Sequence, residues 1–239
     1  MEDKIILKEN EFPDISYYLD NGNPVLRAKD NTFEQPMMQT KESLTDIEFY
    51  GRFIHNCISQ FRHTRVYKNY KNYLMTLGLD HCQYLHNIDS NMATIEMNHC
   101  ILTIFDIALM ISEHLVNTYG QVSSFHVVSA LRDAHTNNRI PLIMMSKTVH
   151  QLYHNDDLFF VHPKQIFGDW VDLIVQYQNG LTPEICAKLL YYIKHALEVD
   201  ESSDNNLLEL QECIRNWSYM NYGSSIYELS NPTPMNYLY

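Results

Sequence analysis

The chain has 239 residues, of which 45% are hydrophobic and 19% are charged, and this composition excludes a disordered, collagen-like or coiled-coil protein. Acidic residues outnumber basic ones by 29 to 17, so a protein that coats nucleic acid non-specifically is excluded and any contact with DNA or RNA requires a local basic patch. Neither an apolar run of the roughly 18–20 residues that span a bilayer nor a secretory signal pattern is present, so we expect no membrane partner.

The first 44 residues have no clear periodicity and predict an N-terminal arm. Thr45 and Glu48 then form a capping-box pattern, and the apolar residues that follow at helical spacing predict a helix that ends near 61. A second helix is predicted over 67–77 because tyrosine and leucine residues continue the same spacing.

Two short alternating segments, 82–88 and 93–99, flank an Asp-Ser-Asn turn and predict a β-hairpin. A long apolar helix is predicted over 103–119, and a serine cap begins a second helix that runs to about 135. The apolar run at 140–145 predicts a buried strand, because it is short and lies between turn signals.

After this strand, Ser146 is expected to cap a helix, and a further short strand is predicted at 158–161. Three more helices are predicted, over 167–177, 182–198 and 206–217. The segment 218–239 is rich in Tyr, Asn and Ser without a period, and it predicts a flexible or partner-docked tail. The sequence therefore predicts an α+β, mostly helical fold with a single helical domain over 45–217.

Two groups among the twelve histidines suggest chemistry. His99 follows Asn98 at the end of a predicted strand, and His150 and His154 lie four positions apart on one face of a predicted helix, where they can share a metal ion. A zinc protease with this spacing needs a glutamate directly after the first histidine, and Gln151 stands there instead. Because an amide does not accept a proton from metal-bound water, the sequence excludes that enzyme class.

The order of strand, histidine, insertion, strand and helix with two histidines resembles the HNH nuclease motif, a ββα-metal fold. The chain is also similar to a group of HNH-like bacteriophage proteins over about residues 67–177. The similar segments are IEMNH at 95–99, TIFDI at 103–107 and KTVHQLYH at 147–154. The resemblance implies a ββα-metal core at about 82–161 with a helical insertion, followed by C-terminal helices.

The resemblance also implies a role for each matching residue. His99 takes the place of the general base, while His150 and His154, with Asn98, take the places that hold a divalent metal ion, Mg²⁺, Mn²⁺ or Zn²⁺. The central asparagine of the motif has no clear counterpart, and His135, which lies near that position, is an accessory candidate. Because Asn98 replaces a His or Asp ligand, a degenerate site without a metal is the alternative.

The segment from Arg52 to Tyr73 contains basic and aromatic residues but no acid, a pattern typical of surfaces that follow phosphates and stack on bases. The basic residues are Arg52, Arg62, Arg65, Lys68 and Lys71. An amphipathic helix pair with its cations in water is the alternative interpretation. The stretch 198–212 holds only acidic charges and is expected to face away from any nucleic acid.

Two functions from different classes follow. The first is a phage-type HNH-like endonuclease, metal-dependent, that hydrolyses phosphodiester bonds and has nucleic acid as its partner. The alternative is a non-catalytic virion or assembly protein that uses a degenerate HNH scaffold and contacts other phage structural proteins. A third hypothesis is a binding protein that blocks a nucleic-acid enzyme of the host. These functions place the protein in the host cytoplasm or in the virion.

Overall fold

The computed structural model describes residues 38–155, 159–199 and 205–223. In these ranges the chain forms eight α-helices and two antiparallel sheets of two strands each, which confirms the predicted α+β, mostly helical class. The helices are α1 (Ile47–His63), α2 (Arg65–Thr76), α3 (Ile104–Tyr119), α4 (Ser124–Thr136), α5 (Lys147–Asn155), α6 (Trp170–Gln176), α7 (Pro183–Val199) and α8 (Asn205–Tyr222). The strands are β1 (Gln39–Thr40), β2 (Ile95–His99), β3 (Gln121–Val122) and β4 (Leu142–Ser146).

Side-chain caps determine where several helices begin. Thr103 caps α3 in a reciprocal capping box with Asp106, and Gly120 ends the same helix with a φ of 77°, a left-handed conformation that favours glycine. At α1 the predicted cap is one residue too early. The cap is Asp46, whose carboxylate accepts the backbone N–H of Phe49, whereas the hydroxyl of Thr45 donates to a backbone carbonyl of the preceding turn.

The β-pairing differs from the predicted hairpin. β2 pairs with β4, so that Asn98 lies opposite Ile143 and His99 opposite Leu142. Residues 82–88 form no strand, and Gln83 hydrogen-bonds to the backbone of Met144 at the opposite edge of β4. The hairpin prediction was wrong because pairing with β4, which is buried along its whole length, brings β2 into the core. Pairing with the more polar residues 82–88 would not bring β2 into the core.

The strand that leads to the site continues directly into a helix. β4 ends at Ser146 and α5 begins at Lys147, and the two helices α3 and α4 lie between β2 and β4 in the sequence. The element order is therefore strand, helical insertion, antiparallel strand and helix. The metal-binding core that the HNH resemblance implies at these elements stays a prediction.

The core lies between α1, α3, α4, α7 and the β2–β4 sheet. Its largest fully buried side chains include Ile54, Phe61, Ile107, Met110, Ile111, Leu131, Leu142, Ile143 and Met144. Each such side chain contributes about 1.5–3 kcal/mol by its removal from water. An ion pair between Asp106 of α3 and Lys188 of α7, at 2.7 Å, joins two of these helices beside the apolar contacts.

Several predicted boundaries fall at the ends of the described ranges. The last helix continues to Tyr222, past the predicted end at 217, while residues 159–161 of the predicted short strand are not in a strand. Most of the predicted N-terminal arm (1–37) and of the predicted tail (224–239) lies outside the described residues, and the division into arm, domain and tail stays a prediction. None of the described helices has both the length and the apolarity that a membrane span requires.

Candidate functional site

The candidate site lies where β2 and α5 meet. Side chains two positions apart on a strand point to the same face, so Glu96 and Asn98 both face α5. On α5 the four-residue spacing brings the rings of His150 and His154 together, with their centroids 4.7 Å apart. The structure thus gathers three of the four residues that the sequence predicted as metal ligands or base, and it adds Glu96.

Short polar contacts connect these four side chains. Nδ1 of His150 lies 2.6 Å from Oε2 of Glu96, and Nε2 of His150 lies 3.1 Å from Oδ1 of Asn98. The Nε2 atoms of His150 and His154 are 2.9 Å apart. Because a carboxylate only accepts hydrogen bonds, the proton between His150 and Glu96 resides on Nδ1 of His150.

Burial differs across the site. Asn98 is only 7% exposed, and within the described part of the chain its Nδ2 atom has no hydrogen-bond partner. His150 is partly buried, and His154 is exposed at the open side of the cluster. Burial, and then the positive charge that His150 can carry, lower the pKa of His154 from its usual value. His154 is therefore mainly neutral at pH 7 and its ring can act as an electron-pair donor.

The donor atoms available for a metal are two imidazole nitrogens and one amide oxygen. The carboxylate of Glu96 contacts the Nδ1 side of His150, away from the Nε2 atoms, so it orients a ring rather than joining the same group of ligand atoms. In the residues that the structure describes, no group of three or more His, Cys, Asp or Glu side chains is arranged to hold a metal ion.

His99 is not part of this cluster. Adjacent strand residues point to opposite faces, so His99 faces α4, and its Nε2 lies 3.4 Å from Nε2 of His135. The ring of His135 packs against Phe61 with centroids 4.6 Å apart, and Nδ1 of His135 donates to the carbonyl of Leu131. Burial lowers the pKa of His135 to about 4, and burial together with His135 lowers the pKa of His99 well below its usual value. The predicted base and its accessory residue therefore form a pair of their own.

The five basic residues predicted to bind nucleic acid are divided in the structure. Arg62, Arg65 and Lys68 are exposed around the junction of α1 and α2. Arg52 pairs with Glu48 one turn earlier on the exposed face of α1. The ammonium of Lys71 donates to the backbone carbonyl of Ile95, the first residue of β2. Lys71 thus supports the strand that carries the site, and its contact with nucleic acid stays a prediction.

Glu96 is the site residue that the sequence analysis missed. A signal was available, since a carboxylate two positions before Asn98 on a predicted strand shares its face. Its contact with His150 joins positions 54 residues apart, and only the pairing of β2 with β4 brings α5 over this face.

The comparisons with known proteins identify a family. Residues 8–218 of the chain match the family model described as bacteriophage G278-like virion protein. Neither the curated proteins nor the solved structures include a significant match to the chain. The matched range contains both the Glu96–His154 cluster and the His99–His135 pair.

Proposed function

Because the chain belongs to the bacteriophage G278-like virion protein family, we propose that it is a non-catalytic structural component of the virion that contacts other phage structural proteins. The family match is the observation that carries this proposal, because it spans 8–218 and so includes nearly all the described elements. The protein would then use the β2–β4–α5 unit as a scaffold rather than as a hydrolytic centre.

The position of His99 supports the non-catalytic proposal. A general base has to reach the proton that it removes directly or through one water molecule. His99 lies on the opposite face of β2 from His150 and His154, and its nearest polar partner is the buried His135. In this arrangement the predicted base and the predicted metal ligands do not face one common substrate.

Purified virions of the phage that encodes the protein provide the test. We expect quantitative mass spectrometry with isotope-labelled peptides to find the protein at a fixed copy number per particle. This number should remain unchanged after density-gradient purification and a high-salt wash. A protein that is abundant in infected cells but absent from particles, or present at a copy number that varies between preparations, would contradict the structural proposal.

A second candidate function is the HNH-like endonuclease, and one observation favours it. Glu96, Asn98, His150 and His154 come together on the unit that the HNH resemblance singled out. Its partner would be nucleic acid, held by the exposed cations Arg62, Arg65 and Lys68. A divalent metal ion would supply charge neutralisation at the scissile phosphate.

Incubation of the full chain with supercoiled plasmid or with structured RNA, and with Mg²⁺, Mn²⁺ or Zn²⁺ in turn, separates the two functions. The structural proposal expects no cleavage above that of the His150→Ala variant. Metal-dependent cleavage that is lost in His150→Ala would support the nuclease instead. Persistence of that cleavage in His99→Ala would show that His99 is not its base.

A further inference from the structure

We propose that the protein self-associates head to tail, with helix α2 of one copy lying parallel to helix α8 of the next copy. Two sets of exposed side chains would make this contact, and they are the α2 surface of Arg65, Lys68, Tyr73 and Leu77 and the α8 surface of Glu209, Glu212, Tyr219 and Met220. The inference goes beyond the proposed virion function, because a contact between copies of one chain requires no other phage protein.

Each of the two helices is packed on one side and exposed on the other. α2 buries Tyr70 and Leu74 and packs on α1 and α4, while α8 buries Leu210 and Ile214 and packs on α7. The α2 surface and the α8 surface lie on the opposite, exposed sides of these helices. Because both surfaces are exposed in the single chain, they do not cover each other, and a contact between them needs a second copy.

The charges on the two surfaces have opposite sign. The range 52–79 contains no acid, and α2 presents Arg65 and Lys68 to solvent. Glu209 and Glu212 are exposed one turn apart on α8. The ion pairs among the described residues use other side chains, so these four charges are available to a partner. Opposite charges on two surfaces steer them together and fix their relative orientation.

Exposed apolar side chains follow the charges on both helices. Tyr219 and Met220, near the C-terminal end of α8, are 63% and 75% exposed. Tyr73 and Leu77, at the C-terminal end of α2, are also exposed. Single exposed apolar residues are common, whereas neighbouring ones beside charged groups are typical of contact surfaces. Removal of these four side chains from water would favour the contact.

The order and the spacing of charged and apolar groups agree between the two helices. Arg65 and Leu77 are 12 positions apart, and Glu209 and Met220 are 11 positions apart. At a rise of about 1.5 Å per residue these spacings are about 18 Å and 16–17 Å. A parallel alignment therefore puts cations beside carboxylates and apolar side chains beside each other. An antiparallel alignment would put the cations against the apolar end of α8.

The position of Arg215, the single cation in the sequence of α8, agrees with the parallel alignment. When Glu209 is level with Arg65, Arg215 is level with residues 71 and 72 of α2. The ammonium of Lys71 is directed to the carbonyl of Ile95, and residue 72 is an uncharged asparagine. Arg215 thus meets no exposed cation of α2 in this alignment.

The contact would be heterologous, because its two sides are different surfaces of the chain. A copy that uses its α2 surface still offers its α8 surface, so further copies can be added until a ring closes or a chain grows. A contact between two single helix faces is small. We therefore expect a Kd between about 1 µM and 1 mM, with association that depends on concentration.

Nucleic acid is the competing occupant of the α2 surface. The formal net charge of −12 opposes the approach of a polyanion at long range, which favours a protein partner with local acidic groups. The two occupants also differ in what they require of α8. A second copy uses the acids of α8, whereas nucleic acid would not contact them.

Sedimentation velocity of the full chain, treated with nuclease, measures self-association directly. A reducing agent is included because Cys213 is a free, partly exposed thiol. We expect the weight-average sedimentation coefficient to rise between about 10 µM and 1 mM protein. The rise should be smaller at about 1 M salt than at about 0.1 M salt, because the Debye length falls from about 10 Å to about 3 Å.

Charge reversal on each surface tests the pairing. Arg65→Glu with Lys68→Glu reverses the α2 surface, and Glu209→Lys with Glu212→Lys reverses the α8 surface. Each reversed variant alone should associate more than about tenfold more weakly, because attraction becomes repulsion. Arg62 is left unchanged, since it lies near the buried His99.

Restoration of opposite charges provides the internal control for folding. An equimolar mixture of the two reversed variants pairs the acidic α2 of one with the basic α8 of the other, and their unchanged surfaces also remain complementary. The mixture should therefore associate like the wild type, and so should a chain that carries all four substitutions. Misfolded variants would not recover in this way.

Three single substitutions complete the test. Met220→Gln should weaken association several-fold, because it reduces the apolar part of the α8 surface. Ile47→Gln changes an exposed apolar residue at the start of α1, and Lys147→Glu reverses an exposed cation at the start of α5. Both positions lie outside the two surfaces, and both variants should associate like the wild type.

A chain that remains monomeric at about 1 mM, or association that either reversal leaves unchanged, would overturn the proposal. Failure of the mixed variants to recover would overturn the pairing of α2 with α8. If the wild type remains monomeric but binds a short labelled duplex, and only the α2 reversal abolishes that binding, the α2 surface belongs to nucleic acid. The copy number in virions is measured separately, so this proposal and the virion proposal fail independently.

Discussion

His99 and His135 meet Nε2 to Nε2 at 3.4 Å, where the end of β2 packs on α4. Nδ1 of His135 donates to the carbonyl of Leu131, so its Nε2 accepts and the contact requires His99 to donate Nε2–H. Both rings are then neutral, and the guanidinium of Arg62 nearby disfavours a further positive charge on His99. The hydrogen bond that connects the strand to the helical core therefore requires Nε2 of His135 to be unprotonated.

Acid should therefore destabilise the fold through this pair. Burial lowers the pKa of His135 to about 4, below the value of roughly 6.5 expected in the unfolded chain, so the unfolded state binds more protons between these two values. The stabilisation that His135 contributes is complete above pH 6.5 and decreases as the pH falls toward 4, with a slope on the order of 1 kcal/mol per pH unit, and the lowered pKa of His99 acts in the same direction. Urea unfolding at a series of pH values measures this slope.

His135→Gln tests the source of the acid sensitivity. An amide can still donate toward Leu131 but does not titrate, so the variant should be less stable at pH 7 and show a smaller decrease between pH 6.5 and 4. His63→Gln changes an exposed histidine at the end of α1 and should keep the wild-type slope. If the free energy of unfolding of His135→Gln decreased between pH 6.5 and 4 as steeply as that of the wild type, a group other than His135 would be responsible for the acid sensitivity.

Gly180→Ala should weaken the contact between α3 and the turn that precedes α7. A Cβ atom at Gly180 would lie 1.8 Å from the carbonyl oxygen of Met110, a backbone atom that a rotamer change does not move. We expect a loss of about 3 kcal/mol in the free energy of unfolding, measured by urea denaturation.

Gly51→Ala is the matched control for this substitution. Gly51 lies inside α1, and apart from its chain neighbours and the backbone of that helix no described atom lies within 4 Å of the added carbon, so the change should stabilise by about 0.5–1 kcal/mol through helix propensity. Equal effects at the two glycines would contradict the close approach at Gly180.

Asp106→Asn should be markedly destabilising, because the carboxylate of Asp106 has two functions. It closes the capping box with Thr103 and pairs with Lys188 across to α7. The variant keeps the size of the side chain but removes the negative charge that the Lys188 ammonium contacts at 2.7 Å, and a loss of about 2–4 kcal/mol in thermal or urea unfolding is expected. Glu48→Gln removes the exposed pair with Arg52 and should change stability by less than about 0.5 kcal/mol.

Lys71→Met should behave as a stability variant. Its ammonium donates to the carbonyl of Ile95 at the start of β2, and loss of a charged donor to a partly buried carbonyl costs about 1.5–3 kcal/mol. Lys68→Met, on the exposed side of the same helix, should unfold like the wild type. A weaker affinity for nucleic acid in Lys71→Met without a change in stability would contradict this assignment.

The features that depend on neighbouring residues could be predicted without a structure. Thr103, Asp106 and Gly120 define α3 through hydrogen bonds that span at most four residues, and the predicted range of 103–119 is nearly that of the helix. The proximity of His150 and His154 is equally local, because one helical turn separates them. The spacing of apolar residues predicted the mostly helical class, because that spacing also depends only on residues close together in the sequence.

The choice of partner for β2 depended on the assembled fold. A strand offers the same backbone donors and acceptors to any neighbour, so local alternation favoured the segment 82–88, whereas burial of β4 favoured residues 142–146. That choice put α5 over Glu96 and Asn98 and turned His99 toward His135. The contact of Glu96 with His150 joins residues far apart in the sequence, and it forms only when the core brings their elements together. Local sequence patterns contain no information about which distant residues will meet in this way.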